Sequence, residues 1–306
     1  MEKILITGVA GFIASHVASR FVREGFTVVG VDDLSSGRIE NVPPGISFIH
    51  GDLALESTFD LIPSDCQKIL HLAGQSSGEI SFDNPVLDLE KNTVSTVNLI
   101  QYGIKNKVDR IVYASSMSVY GAVDGKAIED KTIPSPLSCY GVGKLASEGY
   151  LRAYSSMLPF VVMRMFNVYG PGQDMSNLRQ GMVSIYLAQA MREGRIQVKG
   201  SLERFRDFIF IDDVVEAWYR ATFHAAAVGE VLNVGTGIKT SVGNLIQKIC
   251  QIVPQSEYFI SGSTPGDQLG IYADSLKIRE RLKIKSFTSL DEGLKIFVEW
   301  VQSTTH

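Results

Sequence analysis

The strongest constraint on the fold of this 306-residue chain is a repeated alternation of short β-branched runs with helix-like segments. Six such runs lie at residues 3–7, 27–31, 46–50, 67–72, 110–114 and 160–164. Runs that are apolar on both faces are typical of a parallel sheet covered by helices on both sides. The sequence therefore predicts an α/β fold built on a doubly wound parallel sheet.

The alternation becomes less regular after about Asn167, which indicates a second, smaller part of the chain. A helix is predicted over 181–193, a strand over 207–211 followed by a helix from Asp212, and a last helix over 290–301. We expect a smaller α+β cap beside the sheet domain. The predicted division is 1–166 plus about 207–236 for the sheet domain, and 167–206 plus about 237–306 for the cap.

Charge and cysteine usage narrow the class of protein. The net charge is −4, from 29 basic and 33 acidic residues without a long basic run, so nucleic acid is not an expected partner. Cys66, Cys139 and Cys250 are far apart, which favours reduced thiols in the cytoplasm over a disulfide framework or a zinc site. No signal-peptide pattern and no apolar run of ~18 residues is seen, so no membrane span is expected.

A glycine-rich turn follows the first predicted strand and suggests a dinucleotide site. Gly8 permits a tight turn, Gly11 lets the backbone approach a pyrophosphate, and Ala14 allows close helix–strand packing. Asp32 ends the second strand, where it can accept hydrogen bonds from the adenosine ribose and repel a 2′-phosphate, which favours NAD over NADP. Asp52 is placed to face adenine, although Gly-Asp is also a common turn pair.

Two residues one helical turn apart form a candidate catalytic centre. Tyr140 and Lys144 share one face of a predicted helix, and Ser138 stands where an N-cap would begin it. Ser116, after the fifth strand, is placed to hold a substrate hydroxyl. A tyrosine with a pKa near ~10 is a poor base, but a nearby ammonium and a positively charged nicotinamide ring favour the phenolate. A downward shift of ~3 units would need roughly 4 kcal/mol.

These motifs, in this order, resemble those of the extended short-chain dehydrogenase/reductase family, and within it the nucleotide-sugar 4-epimerases. The resemblance runs from Thr7 to about Asp274. The matching pieces are 7–13 (Thr-Gly-Val-Ala-Gly-Phe-Ile), Asp32, 51–53, 71–75 (His-Leu-Ala-Gly-Gln), Asn92, 115–121, Tyr140 with Lys144, 164–171, 206–209 and 233–237.

The resemblance implies a Rossmann fold, tightly held NAD and a nucleotide-diphosphate sugar as substrate. Tyr140 would take the proton of the C4 hydroxyl, and the 4-keto sugar would turn about its diphosphate before C4 is reduced from the other face. The implied cofactor contacts are Gly8, Gly11, Phe12, Ile13, Asp32, Asp52, Leu53, Leu72, Ala73, Gly74, Gln75, Asn92, Ser115, Tyr140, Lys144 and Phe166. The implied substrate contacts are Ser116, Tyr140, Asn167, Asn177, Arg206 and Asp267.

Arg206 has a structural alternative, a salt bridge to Asp207 or Asp212. The family often carries an arginine shortly before the late Gly-Asp pair, but here Ser263 and Thr264 occupy that region. The identity of the sugar and nucleotide therefore stays open. The segment from Gln75 to Ile80 also departs from the family pattern, and we expect it over the nicotinamide or the sugar.

Other activities remain as alternatives. A 4,6-dehydratase needs an Asp-Glu pair where this chain has Met117 and Ser118, which cannot carry out the proton transfers. A 4-keto-sugar reductase would keep Tyr140 and Lys144 and consume added NAD(P)H. A non-enzymatic NAD sensor would be expected to lose both residues. The resemblance also implies a homodimer through the helix around 88–103 and the helix carrying Tyr140, although an internal core would explain their apolar residues equally well.

Overall fold

The computed structural model describes residues 2–179, 181–262 and 269–304, and within them it contains one seven-stranded sheet and four two-stranded sheets. The strands, in chain order, are β1 (Lys3–Thr7), β2 (Thr27–Asp32), β3 (Ser47–His50), β4 (Lys68–His71), β5 (Arg110–Ser116), β6 (Gly125–Ala127), β7 (Phe160–Met165), β8 (Asn167–Tyr169), β9 (Arg195–Val198), β10 (Phe205–Arg206), β11 (Phe208–Phe210), β12 (Val231–Val234), β13 (Thr240–Ser241), β14 (Glu257–Ile260) and β15 (Ile271–Ala273).

The large sheet is parallel throughout, in the order β12-β7-β5-β4-β1-β2-β3. The chain enters at the central β1, moves outward to β3, and then returns to build the other half from β4. This is the doubly wound Rossmann topology, so the predicted fold class is confirmed. The six predicted strands end within two residues of their predicted limits, and β12 adds a seventh at the edge.

Helices cover both faces of the sheet. They are α1 (Phe12–Arg23), α2 (Pro85–Leu89), α3 (Ser95–Lys105), α4 (Cys139–Ala153), α5 (Met182–Glu193), α6 (Ile211–Phe223), α7 (Val242–Ile252), α8 (Leu276–Leu282) and α9 (Leu290–Thr304). A π-helical turn, Glu90–Val94, joins α2 to α3. Alternate side chains of β1 enter two separate cores: Ile4 and Ile6 pack with the α1 and α6 side, whereas Leu5 packs with the α3 and α4 side.

The two-stranded sheets pair β8 with β11, β10 with β13, β9 with β14, and β6 with β15. Asp207 lies between β10 and β11, and its buried carboxylate joins this segment to the loop after β12 and to β15. It accepts hydrogen bonds from Thr236 N and Oγ1 (2.9 and 2.6 Å), Gly237 N (2.9 Å) and Ala273 N (3.1 Å). These small sheets, with α5 packed on α7 and α7 on α9, form the smaller α+β part. The exact division into two domains stays a prediction.

Parallel strands bring their carboxyl ends to one edge of the sheet. Thr7, Asp32, His71 and Ser116 are the last residues of β1, β2, β4 and β5, and they therefore lie along the same edge. The predicted functional residues collect there. Within the described ranges, no helix combines the length and apolar character needed to cross a bilayer.

Candidate active site

A cavity of about 1240 Å³ lies along this edge. Its lining includes Asp32 and Asp52 on the β2–β3 side, Gly11 at the centre, and Tyr140 with Lys144 on the β4–β5 side. Each of these five residues is a sequence-predicted contact. The cavity is therefore long enough in the sheet direction to connect the predicted adenosine end with the predicted catalytic end.

The glycine turn at the centre of the cavity is built as the sequence predicts. Gly8 has φ +72°, and a Cβ there would lie 2.7 Å from Ala73 N, so only glycine fits between β1 and the end of β4. Gly11 precedes α1 with extended backbone and no side-chain cap, and Phe12 and Ile13 follow it into the cavity wall. The first N–H groups of α1 are thus available to an anion.

At the adenosine end, acidic residues are held by defined partners. The carboxylate of Asp32 accepts hydrogen bonds from Ala10 N (3.0 Å) and Leu34 N (2.8 Å), which fix its direction, while burial raises its pKa. Lys91 binds Asp33 and lies 2.8 Å from Asp52 Oδ2.

Burial opposes the charge of Lys91, but hydrogen bonds to Asp33 and Asp52 raise its pKa overall. Leu53, the next residue after Asp52, is buried and lines the cavity as an apolar wall. Asp52 accepts a hydrogen bond from Ala54 N (3.0 Å), as expected of a turn residue. Asp52 also lines the cavity, so its role in the turn does not remove it from the site.

A buried histidine supports the loop that follows β4. The hydroxyl of Thr96 donates to Asn92 O (2.7 Å), so it accepts from Nε2 of His71 (3.0 Å). Nδ1 of His71 then accepts from the Thr7 hydroxyl (2.8 Å), whose oxygen also receives the N–H groups of Leu72 (3.2 Å) and Ala73 (3.1 Å). Burial lowers the pKa of His71 to about 3, which keeps the ring neutral. This chain of bonds fixes the backbone of Leu72 and Ala73 in the cavity wall.

The predicted catalytic pair lies at the start of α4. Ser138 caps the helix through a hydrogen bond from Gly141 N (3.1 Å), as predicted. Tyr140 and Lys144 are both buried, and the Lys144 ammonium lies 5.6 Å from the centre of the Tyr140 ring. Ser116 is hydrogen-bonded to Tyr140 and stands at the end of β5. The three predicted catalytic residues are therefore together.

Burial governs the pKa values of Tyr140 and Lys144 in the chain without its cofactor. Burial raises the pKa of Tyr140 to about 12, although the hydrogen bond from Ser116 lowers it in part. Burial also lowers the pKa of Lys144 to about 8, while the Asp88 carboxylate raises it. In the chain without its cofactor, desolvation therefore outweighs the attraction of an ammonium at this distance. The joint effect of Lys144 and a positively charged nicotinamide on Tyr140 stays a prediction.

Asn92 lies in the π-helical turn and faces Lys144. A Cβ placed on Gly74, which has φ +146°, would be 2.5 Å from Asn92 Oδ1 and 3.3 Å from Lys144 Nζ, so both atoms converge on this glycine. The Oδ1 atom is buried without a hydrogen-bond partner among the described residues. π-helical turns occur frequently at functional sites, and this one turns an amide oxygen towards the catalytic lysine.

The structure brings together only some of the predicted substrate contacts. Asn167 donates through Nδ2 to Asp207 O (2.9 Å) and lies 3.7 Å from Met117 Sδ, directly beyond Ser116. Asn177 lines the cavity and accepts from Arg179 N (3.0 Å).

Arg206 donates to Phe205 O (2.7 Å), and its neighbour Asp207 is engaged by Thr236, Gly237 and Ala273 rather than by the alternative salt bridge. Asp267, Ser263 and Thr264 lie outside the described residues.

Three predicted cofactor contacts have side chains that bind or pack against other parts of the protein. The Ser115 hydroxyl donates to Glu148 Oε1 (2.5 Å), away from the cavity, and Phe166 packs into a small apolar cluster with Val119 and Ile271. The contacts of Ser115 and Phe166 with the cofactor stay predictions. Gln75 lines the cavity, but its amide holds the backbone of Ser77.

The sequence interpretation missed several charged residues at the site. Glu148, on the catalytic helix, forms a buried ion pair with Arg164 of β7. Arg179, two residues after the cavity-lining Asn177, pairs with Glu79 (3.0 Å) and Asp83 (3.3 Å). Each pair joins residues 16 or more positions apart, so no local periodicity signals it. Gln75, Ser76, Ser77 and Ile80 of the unusual 75–80 segment line the cavity, and the expected place of this segment over the nicotinamide or the sugar stays a prediction.

Comparison with known proteins identifies the class. Residues 4–235 match the model of the NAD dependent epimerase/dehydratase family. UDP-glucose 4-epimerase of Mycolicibacterium smegmatis is 34% identical over 313 residues, which cover 98% of this chain and 99% of that protein. The structure of UDP-glucose 4-epimerase from Thermotoga maritima with UDP-glucose has a TM-score of 0.93 at 32% identity, covering 99% and 100% of the two chains. MoeE5 in complex with UDP-glucose and NAD has a TM-score of 0.88 at 30% identity, with the same coverage.

The chain belongs to the NAD-dependent epimerase/dehydratase family, within the extended short-chain dehydrogenase/reductases, and it is an enzyme that uses NAD. The residues present fit this cofactor. The uncapped N-terminus of α1 after Gly11 offers N–H groups to a pyrophosphate, and Asp32 lines the β2 end of the cavity. At the opposite end, the buried Asn92 oxygen, which has no partner among the described residues, and the Lys144 ammonium both approach Gly74.

Proposed function

We propose that this enzyme inverts the configuration at C4 of a UDP-sugar through a transient 4-keto sugar. The observation that carries the proposal is that Tyr140 and Lys144 line one end of the long cavity and that Ser116 lies beside Tyr140. Met117 and Ser118 stand next to this group and provide no further acid or base. A site of this kind can oxidise and reduce a carbinol carbon without eliminating water.

Tyr140 is the proposed base for the C4 hydroxyl, which Ser116 holds by a hydrogen bond. When bound, NAD supplies the acceptor and donor of the hydrogen at C4. Because the pKa of Tyr140 is about 12 in the chain alone, its activation needs the positive charge of the oxidised nicotinamide in addition to that of Lys144. The tyrosine is thus a useful base only while the oxidised cofactor is in place.

Inversion requires the 4-keto sugar to present its other face to the same tyrosine. We infer that the diphosphate remains held while the sugar turns, with Asn167, Asn177, Arg206 and Asp267 as the proposed contacts. Asn167 supports this role because it lies beside Met117 and next to Ser116. A held diphosphate keeps the keto intermediate in the site until C4 is reduced.

A panel of UDP-, GDP-, CDP- and dTDP-sugars, incubated with the purified protein without added cofactor, tests the proposal. A 4-epimer supports it, since each turnover regenerates NAD. A product lighter by one water would instead assign a dehydratase. Turnover of a 4-keto sugar that needs added NAD(P)H would assign the alternative reductase.

Two tyrosine variants on the same helix test whether Tyr140 is the base. Tyr140→Phe should lower kcat by about 10³-fold or more while NAD remains bound. Tyr150→Phe is the matched control, because Tyr150 lies on the same helix and is 44% exposed. Wild-type turnover in Tyr140→Phe would exclude the proposed base.

We also propose a homodimer in the cytoplasm. An exposed apolar surface is formed by Phe82, Val86, Leu89, Leu137 and Val142, on α2, on α4 and in the segments before them. A second copy is the proposed occupant, which agrees with the dimer implied by the family resemblance. Light scattering should give a dimer for the wild type and a monomer for Val86→Glu. A monomeric wild type would exclude the dimer.

A further inference from the structure

We propose that Asp88 is a positioning residue of the active site: its carboxylate holds the Asn92 side chain, lies against the first turn of α4 and supplies a negative charge to the surroundings of Lys144. This assignment rests on the proposed function, since it concerns the same catalytic pair. Asp88 matches none of the motifs that identify the family, and its position on the short helix α2 gave no signal in the sequence.

The burial of Asp88 is unusual for an aspartate. It is 1% exposed, and α2 presents exposed apolar side chains on either side of it. An acid in the first turn of a helix interacts favourably with the helix dipole, but an exposed position would give the same benefit. Burying a carboxylate is costly unless it is hydrogen-bonded and paired with a charge.

The partners of Asp88 are both parts of the catalytic site. Its Oδ1 accepts a hydrogen bond from Asn92 Nδ2 (3.1 Å). Because the amide nitrogen is held on this side, Oδ1 of Asn92 is directed towards Gly74, and the Lys144 ammonium lies beside the same glycine. The other oxygen, Oδ2, lies over Gly143, one residue before Lys144. Asp88 therefore supports α4 and the π-helical turn at the same place.

The charges around Lys144 show why this carboxylate matters. The titratable groups that face the ammonium are Asp88 from α2, His71 from β4, Tyr113 from β5 and Tyr140 from its own helix. His71 and the two tyrosines are neutral because burial disfavours their charged forms. Among the described residues, Asp88 is thus the anion that opposes the desolvation of Lys144.

Removing the charge of Asp88 should shift the titration of the whole pair in one direction. A lost negative charge makes deprotonation easier for both Lys144 and Tyr140, since Asp88 raises the pKa of each. Because Lys144 and Tyr140 titrate as a coupled pair, the lost charge should shift both the acidic and the alkaline limb of the pH profile of kcat. We expect both limbs of kcat to move to lower pH by about one unit.

Asp88→Asn separates the charge from the hydrogen bond, because the new amide oxygen can still accept from Asn92. Its kcat should fall on the alkaline side of the profile and recover at lower pH, with KM for the nucleotide sugar within about twofold of wild type. Glu90→Gln is the control, since it removes an exposed carboxylate from the adjoining turn. If Asp88→Asn does not fold, Asp88→Ser retains an oxygen acceptor without the charge.

A direct titration distinguishes this proposal from the proposed function. With lysine labelled at ¹³Cε, the Lys144 resonance, assigned by its loss in Lys144→Met, reports its pKa in the NAD-bound enzyme whether or not the substrate is known. A fall of about one unit in Asp88→Asn, with no change in Glu90→Gln, supports the role of Asp88. An unchanged Lys144 pKa would overturn it even if epimerisation is confirmed.

Discussion

Replacing Glu148 by glutamine tests how the catalytic helix is held on the sheet. Glu148 of α4 and Arg164 of β7 are 6% and 5% exposed, and they form a bidentate pair: Nη2 to Oε2 is 2.6 Å and Nε to Oε1 is 2.9 Å. The Ser115 hydroxyl adds a third bond to the carboxylate. The glutamine variant keeps the shape of the side chain but leaves the guanidinium buried without its counter-charge.

The expected loss is large for this reason. Breaking a buried ion pair by removing one partner costs about 3–5 kcal/mol, most of it the desolvation of the remaining charge. At about 2 °C per kcal/mol for a chain of this size, Tm should fall by about 6–10 °C. Urea unfolding followed by circular dichroism gives the free energy of unfolding, and a thermal melt gives Tm.

Two further variants separate the charge from the packing. Glu148→Met combined with Arg164→Met removes both charges and should recover most of the stability, because an apolar pair of similar volume carries no desolvation penalty. Glu24→Gln breaks the exposed pair with Arg20 and should cost about 1 kcal/mol or less. A loss below about 1 kcal/mol in Glu148→Gln would refute the reasoning, as would a double variant no more stable than the single one.

Two more predictions concern the cofactor cavity. The unfolded chain protonates His71 below its ordinary pKa of 6.5, whereas the folded chain does so only near 3, so between these values stability should fall by about 1.4 kcal/mol per pH unit as the pH drops. Urea titrations at several pH values should show a flatter slope in His71→Gln, and an equal slope would contradict the assignment. Lys91→Met leaves Asp33 and Asp52 without their shared cation, and calorimetry should show NAD binding about fivefold weaker, the effect of about 1 kcal/mol. The exposed Lys105→Met is the control, and equal affinities in the two variants would contradict this role.

The parts of the site that follow local rules could be predicted from the sequence. The turn at Gly8 and Gly11 follows a strand and precedes a helix, so neighbouring residues determine its shape. Tyr140 and Lys144 meet because they are four residues apart on a helix, and Ser138 begins that helix as its cap. In each case, the chain positions of the residues alone imply their spatial relation.

The polar connections between distant segments could not be predicted in this way. Asp88 reaches Lys144 only because α2 packs against α4, and Lys91 reaches Asp33 only because the π-helical turn lies over the end of β2. The pKa of Tyr140 in the chain alone could not be predicted for a related reason. The sequence shows that a cation is near, but the extent of burial depends on the folded surroundings.

The fate of the hydrogen at C4 tests the central claim most directly. The nucleotide sugar that the enzyme turns over in the panel, deuterated at C4, would be incubated with the purified enzyme without added cofactor, and the products separated and analysed by NMR and mass spectrometry. The proposed mechanism predicts a 4-epimer that retains deuterium at C4, because the hydrogen removed from this carbon returns to it within the same closed site. A product that has lost water and carries deuterium at C6, or a 4-epimer without the label, would contradict it.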